Sequence, residues 1–341
     1  MNIQENYDLA RHNTFGISSR CKRFIEYTNE DEALQVAAWL KEDTDPLLII
    51  GGGSNLLLTR DFPGTVVRAA VRGIEADVID EVDTEHCVVQ CGAGERWDDV
   101  VAWCVEHECY GAENLSLIPG DVGASVVQNI GAYGVEVKDL VLMIEAVEIE
   151  TGQMVVFGRA DCQYGYRQSR FKQDWRNKYL IMRVLYLMQR QFTPLLDYGN
   201  VRQALEQRGI TEPSAAEMRQ VVIDIRKEKL PDPEEWGNAG SFFMNPVVER
   251  AVYEQLAAQY PQMPHYAVDE EHEKIPAGWM IEQCGWKGKT LGRAGVYDRQ
   301  ALVLVNKGGA TGEDIVNLCQ AICKDVNDRF GIQLHPEVNI I

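Results

Sequence analysis

Apolar positions in DEALQVAAWLKED (31–43) recur at helical spacing, and PLLII (46–50) is a short apolar run of strand length. GGGSN follows that run directly, and TVVRAA (65–70) reads as another strand, so residues 1–70 form a small α/β lobe. From 87 the pattern changes. CVVQCGAG (87–94) runs from strand into a glycine turn, and WDDVVAWCVEHE (97–108) places Val100, Val101, Cys104 and Val105 on one helical face. A long glycine-rich segment follows, LIPGDVGASVVQNIGAYG (117–134). VLMIEAVEIE and QMVVFG flank Thr151-Gly152 as a hairpin, and YLIMRVLYLM (179–188) is a buried strand. These elements make a second, α+β lobe over 71–193. FTPLLDYGN (192–200) breaks the pattern as a linker or loop. Beyond it the periodicity predicts helices near 214–229, 247–260, 277–284 and 311–329, with strands in ALVLVN (301–306) and the terminal IQLHPEVNII. That is a third unit, 194–341.

Composition narrows the function classes. Hydrophobic residues are 45% of the 341, enough for a sizeable core, and no apolar run approaches the ~20 residues that span a bilayer. The N-terminus, MNIQENYDLARHNTFGI, lacks a basic region followed by an apolar one, so a cytoplasmic protein is expected. The net charge of −19 disfavours general nucleic-acid binding, which needs a basic surface. An anionic ligand must therefore be met by local arginines, lysines and backbone N–H groups. The nine cysteines are odd in number and contain no C-x-x-C pair, which points to reduced core thiols. The six histidines show no metal-binding spacing.

Two nucleotide-loop patterns fail. Gly51 and Gly53 are followed by Leu56 where a Rossmann loop needs glycine, and the GKT at 288–290 has Gln283 where a P-loop needs its first glycine. No G-x-S-x-G surrounds a serine. What survives is a pair of glycine-rich loops, 51–55 and 120–134, each after an apolar stretch. Successive N–H groups in such loops suit a diphosphate, and the pair favours a dinucleotide-type cofactor without identifying it. Arg167 in YGYRQSRFK, Ser241 in GNAGSFFMNP and Glu337 in LHPEVNII are polar residues in apolar or glycine-rich company. Taken singly, periodicity favours reading them as a surface cation, a turn hydroxyl and an exposed strand acid. GNAGSFFMNP itself suits neither a helix nor a strand.

Six segments occur together and in order: LLIIGGGSNLL, LSLIPGDVGASVVQNIGAYGVEV, YGYRQSRFK, KLPDP, GNAGSFFMNPVV and HPEV. With them the chain closely resembles the UDP-N-acetylenolpyruvoylglucosamine reductases of peptidoglycan precursor synthesis, from NTFGI (13–17) to Glu337. The resemblance implies an α+β fold: an FAD-binding domain of the vanillyl-alcohol-oxidase type in two lobes, 1–70 and 71–193, and a substrate domain over 194–341. LLDYGN and the long segment before KLPDP look like the type I branch, in which a tyrosine-bearing loop folds over the substrate. The resemblance places FAD, held noncovalently, against Gly51, Gly52, Gly53, Ser54, Asn55, Pro119, Gly120, Gly123, Gln128, Asn129 and Gly131. It places catalysis on Arg167, Ser241 and Glu337, and substrate contacts on Tyr198, Lys229, Asn245, Tyr266 and Gln300. Two residues depart from common family forms: Gln168 stands where an aspartate often follows the arginine, and Gly52 where a glutamate can sit. NADPH and the enolpyruvyl UDP-sugar are the expected partners, with no metal, no nucleic acid, no membrane and a monomeric protein.

The implied chemistry suits these residue types. Hydride goes from the flavin to the β-carbon, C3, and negative charge spreads from C2 into the carboxylate. A guanidinium stays charged and can fork onto that carboxylate. An ionised Glu337 would repel the charge, so a protonated glutamate, or one set against Arg167 or a water, is expected. Ser241 is expected to protonate C2. An FAD oxidase on the same scaffold is the main alternative. Such enzymes often tether the flavin through His or Cys, and 51–55 and 117–134 contain neither. A catalytically silent nucleotide-sugar binder is a further alternative, opposed by the presence of all three catalytic side chains.

Overall fold

The computed structural model describes residues 1–78 and 85–341. The chain divides into two compact units. The first comprises Met1–Tyr7, Cys21–Gly53 and Phe62–Arg226, and the second Asp8–Arg20, Ser54–Asp61 and Lys227–Ile341.

In the first unit, a four-stranded sheet runs in the order Asn2–Asp8, Arg20–Tyr27, Phe62–Ala69, Leu47–Ile50. Phe62–Ala69 lies parallel to both Arg20–Tyr27 and Leu47–Ile50. The crossover is helix Glu30–Glu42, which starts where the Asn29 side chain accepts the Glu32 N–H. Its apolar stripe, Ala33, Val36, Ala37 and Leu40, joins Ile25, Tyr27, Val67, Leu180 and Met182 in one buried cluster. Leu180 and Met182 belong to a second, antiparallel sheet. Its order is Gln153–Gly158, Val141–Glu148, Tyr179–Gln189, His86–Gly92, Ile74–Val78. The Tyr27 hydroxyl donates to the Ile181 carbonyl at 2.8 Å, tying the sheets together. Helix Trp97–Glu106 packs Trp97, Val100, Val101 and Cys104 on the second sheet, with the Trp97 ring edge-on to Tyr186 at 5.6 Å.

The second unit has a sheet ordered Gly237–Ser241, Val303–Asn306, Ala294–Val296, Thr290–Leu291. Helix Gly312–Phe330 buries Ile315, Leu318, Ile322 and Val326 in that unit's core. It is bounded by a Thr311–Asp314 capping box and a left-handed Gly331, the two signals that set helix ends.

The division differs from cuts at 70 and 193. Residues 194–226, expected in the third unit, group here with the first. They include helix Val201–Gln207, and with Ala215–Lys229 they bury Val201, Leu205, Met218, Val221, Val222 and Ile225 against Tyr133, Phe192 and Leu196. Conversely, Phe15, Ile17 and Leu57 enter the C-terminal core, and Leu56–Leu57 pairs in parallel with Asn339–Ile340. GNAGSFFMNP is in part a strand after all: Gly237–Ser241 pairs with Val303–Asn306 across a register shift.

All nine cysteines are free, and seven of them are buried. Burial raises the Cys21 thiol to about 11, which keeps it protonated and unreactive. Among the described residues no group of three or more potential ligands could hold a metal ion, and no helix is long and apolar enough to cross a membrane.

Glu113 is a buried acid, 4% exposed, whose two oxygens accept the Gly111 N–H at 3.1 and 3.0 Å. Burial raises its pKa above 4.5, against the lowering effect of its own and the Gly111 N–H groups. Folded Glu113 therefore keeps its proton to higher pH than the unfolded chain does. Stability falls as pH rises from 4.5 through the folded pKa, and the full penalty stands above it. Glu113→Gln is expected to raise the melting temperature at pH 8 by ~2–4 °C, the effect of about 1 kcal/mol in a domain of this size. The gain should fade toward pH 4. Thermal melts across pH check this, and an equal gain at both ends contradicts it.

Candidate active site

The two glycine loops meet within the first unit. A Cβ on Gly51 would stand 2.8 Å from Ala124 Cβ, and one on Gly52 would stand 3.1 Å from Asp121 Oδ1 and 3.2 Å from Gly120 Cα. Only glycine permits that approach. Gly53 and Gly120 have left-handed backbone, with φ of +69° and +118°. Such turns aim main-chain N–H groups at one side of a loop, which fits a diphosphate-bearing cofactor. Not every residue of the sequence-derived set offers its polar groups outward. The Gly123 N–H donates to the Ala93 carbonyl at 2.8 Å, so its smallness serves packing. Asn129 is fully buried: its Nδ2 donates to the Gly165 carbonyl at 2.8 Å and its Oδ1 accepts the Lys138 N–H at 3.2 Å. Gln128 Oε1 accepts from Lys172 Nζ at 3.2 Å. Pro119 lies exposed on the approach to the second loop.

Arg167 is half-buried, on the turn that Asn129 anchors. Its Nη1 donates to the Asn129 carbonyl at 3.2 Å and its Nη2 to the Gly131 carbonyl at 2.6 Å. The sequence-derived set omits Arg226, on helix Ala215–Lys229. Its pKa is lowered by burial, opposed by Tyr133 and Asp98, while the positive charge of Arg167 lowers it further. Tyr198 is half-exposed in a loop pinned over the turn at 133–134. A Cβ on Gly134 would lie 3.2 Å from Tyr198 Cβ, and Asn114 Nδ2 donates to both the Tyr133 carbonyl, at 2.8 Å, and the Leu195 carbonyl, at 3.1 Å.

In the second unit, Ser241 ends its strand opposite Val303, immediately after a left-handed Gly240. Phe242 and Phe243 are buried and stack edge-on at 5.3 Å, which fixes the backbone on either side. The next residues run beside the chain terminus: the Phe242 carbonyl accepts the Glu337 N–H at 2.8 Å, and Phe243 bridges Pro336. Ser241 and half-buried Glu337 are therefore held on adjacent backbone. Asn55 joins them, its Nδ2 donating to the Glu337 carbonyl at 3.3 Å and its own carbonyl accepting the Asn339 N–H at 3.1 Å. Thus Asn55, like Ser54 before it, belongs to the second unit although it closes the first glycine loop. Asn245 and Gln300 flank the start of helix Ala277–Gln283. Asn245 Oδ1 accepts the Ala277 N–H at 2.9 Å, and Gln300 Oε1 accepts the Leu302 N–H at 3.3 Å while standing 3.3 Å from where a Gly278 Cβ would be. Lys229 and Tyr266 are exposed, and Lys274 Nζ lies 5.9 Å from the Tyr266 ring.

Residues 21–158 match the family described as FAD binding domain, and residues 232–341 match UDP-N-acetylenolpyruvoylglucosamine reductase, C-terminal domain. The UDP-N-acetylenolpyruvoylglucosamine reductase of Bacteroides fragilis is 51% identical over 340 residues, covering 99% of this chain and all of that one. The reductase of Pseudomonas aeruginosa is 45% identical, covering 100% of this chain and 99% of that one. The solved reductase from Thermus caldophilus shares the fold at a TM-score of 0.66 and 21% identity, over 99% of this chain and 98% of that one. The fold is α+β, an FAD-binding domain of the vanillyl-alcohol-oxidase type with a C-terminal reductase domain, and FAD is the cofactor. The chain is an oxidoreductase and belongs to the UDP-N-acetylenolpyruvoylglucosamine reductase family.

Proposed function

We propose that this chain reduces the enolpyruvyl double bond of UDP-N-acetylenolpyruvoylglucosamine to give UDP-N-acetylmuramate, with NADPH as reductant, as a cytoplasmic monomer holding FAD noncovalently. The FAD, when bound, carries hydride from the nicotinamide to C3 of the substrate. The observation that carries the reading is the coupling of Ser241 and Glu337 through the Glu337 N–H to Phe242 carbonyl bond, in a chain with full-length relatives of this family.

Arg167 takes the substrate carboxylate as charge accumulates there. Its guanidinium is oriented by the Asn129 and Gly131 carbonyls, so little reorganisation accompanies the step. Ser241 gives its proton to C2, since a hydroxyl is acid enough for a carbanion-like centre. Glu337 donates a hydrogen bond that steadies the developing enolate. Lys229 and Tyr198 bind the diphosphate, and Tyr266 is a further substrate contact. Asn245 and Gln300 spend their carbonyl oxygens on backbone N–H groups, leaving their NH2 groups as the donors offered to substrate. Gly51–Asn55, together with Pro119, Gly120, Gly123, Gln128, Asn129 and Gly131, hold the FAD, with Gln128, Asn129 and Gly123 acting largely through backbone and packing.

Anaerobic reduction of the flavin by NADPH, followed by addition of the enolpyruvyl UDP-sugar, tests the reading. Reoxidation is expected, and its absence overturns the function. Tyr198→Phe is expected to raise the KM for the UDP-sugar by about 10-fold, the worth of one hydrogen bond to a charged group, with flavin reduction by NADPH unchanged. An equal change in both half-reactions contradicts a substrate contact.

A further inference from the structure

Asp121 opens helix Val122–Gln128 at the position where an aspartate ordinarily accepts N–H groups of the first turn, yet its side chain makes no such cap. It is buried and turned instead to Arg68, whose Nη2 lies 3.0 Å from Oδ2. The other arm of Arg68 reaches Glu26 Oε1 at 3.0 Å. The strand pairing explains the placement. Arg68 is the register partner of Ile50, the residue before Gly51, and also of Glu26. The guanidinium meets Asp121 beside the first glycine loop: Asp121 Oδ2, its partner, stands 3.7 Å from where a Gly51 Cβ would be, and Asp121 Oδ1 3.1 Å from where a Gly52 Cβ would be. A carboxylate thus occupies the contact between two loops whose ligand carries a diphosphate.

We propose that Arg68 is a positioning residue for the cofactor: by pairing with Asp121 it cancels a buried negative charge between the glycine loops that would otherwise repel the FAD diphosphate. Arg68 acts through Asp121 rather than by touching the ligand. Burial raises the Asp121 pKa while Arg68 lowers it, so without Arg68 the carboxylate loses its main counter-charge. Glu26 holds the second arm and fixes the guanidinium between the two acids. The inference rests on FAD as the cofactor of this domain.

The test is the FAD affinity of flavin-stripped protein, by fluorescence quenching, with melting temperatures alongside. Arg68→Met is expected to weaken FAD binding by roughly 30-fold or more, the loss that follows when one partner of a buried charge pair is removed. Asp121→Asn should bind FAD as tightly as the parent or tighter. The double variant should return to within about threefold of the parent, because neither charge of the Arg68–Asp121 pair remains and the Glu26 left behind is partly open to water. A merely structural pair would lower the melting temperature without changing the affinity of the folded protein. The proposal is overturned if Arg68→Met binds FAD normally, or if the double variant binds as weakly as the single. If Arg68→Met does not fold, Asp121→Asn decides alone, since a tenfold loss of affinity there would show that the carboxylate is required and not merely tolerated. Failure of the parent protein to bind FAD would sink the cofactor reading as well, and it shows without any variant.

Discussion

Ser241→Ala is expected to leave flavin reduction by NADPH within about twofold of the parent and to slow flavin reoxidation by the enolpyruvyl substrate ~10²–10⁴-fold, the usual contribution of a positioned proton donor. The separation follows from what each half-reaction needs. Reduction requires the nicotinamide beside the flavin and no proton on C2. Reoxidation leaves negative charge at C2, which must be quenched before product forms. The local backbone is held independently of the hydroxyl. The Phe242 N–H donates to the Leu302 carbonyl at 2.8 Å, and the Phe242 carbonyl receives the Glu337 N–H. Removing one half-buried oxygen from such a strand end costs stability of about 1 kcal/mol at most, so unfolding does not mimic the effect. Anaerobic stopped-flow measurement of each half-reaction checks the prediction. Equal slowing of both would remove Ser241 from the protonation step.

Local pattern made much of this fold legible. Helices at Glu30–Glu42, Trp97–Glu106, Ala215–Lys229 and Gly312–Phe330 carry apolar stripes in sequence, and the hairpin of Val141–Glu148 with Gln153–Gly158 is bounded by a turn signal. What escaped was non-local. Arg20–Tyr27 alternates in CKRFIEY, yet its parallel pairing depends on Phe62–Ala69, some 40 residues away. Helix Val201–Gln207 hid behind the turn residues of LLDYGN, and the parallel pairing of Leu56–Leu57 with Asn339–Ile340 has no local signal at all. The site divides in the same way. Motif order pointed to Arg167, Ser241 and Glu337, but no pattern could show that the Asn129 amide is consumed in bracing the Arg167 turn, or that Arg68 answers Asp121. Those are pairings through space between residues that each look ordinary in sequence.

The bracing of Arg167 leads to the other large expected effect. Arg167→Lys should slow flavin reoxidation ~10²–10³-fold, the scale of losing a preorganised group that faces developing charge, with FAD binding and flavin reduction little changed. The guanidinium is planar. Two of its nitrogens are taken by the Asn129 and Gly131 carbonyls, at 3.2 and 2.6 Å, which fixes the plane and the direction of its remaining donors. A lysine keeps the charge but has neither the fork nor the plane. The backbone supports the same conclusion. Arg167 holds φ at +55°, a left-handed conformation uncommon for a long side chain, and strain of this kind persists where surrounding structure imposes it. Gly131→Ala offers a comparison that leaves the charge untouched. Its Cβ would stand 2.9 Å from both Arg167 Nη1 and Glu136 Cγ and 3.0 Å from the Val135 carbonyl, so it displaces the guanidinium together with the strand opposite. If orientation matters, Gly131→Ala slows reoxidation in the same direction as Arg167→Lys. If only charge matters, Arg167→Lys retains activity within tenfold, and single-turnover rates of the two variants distinguish these cases.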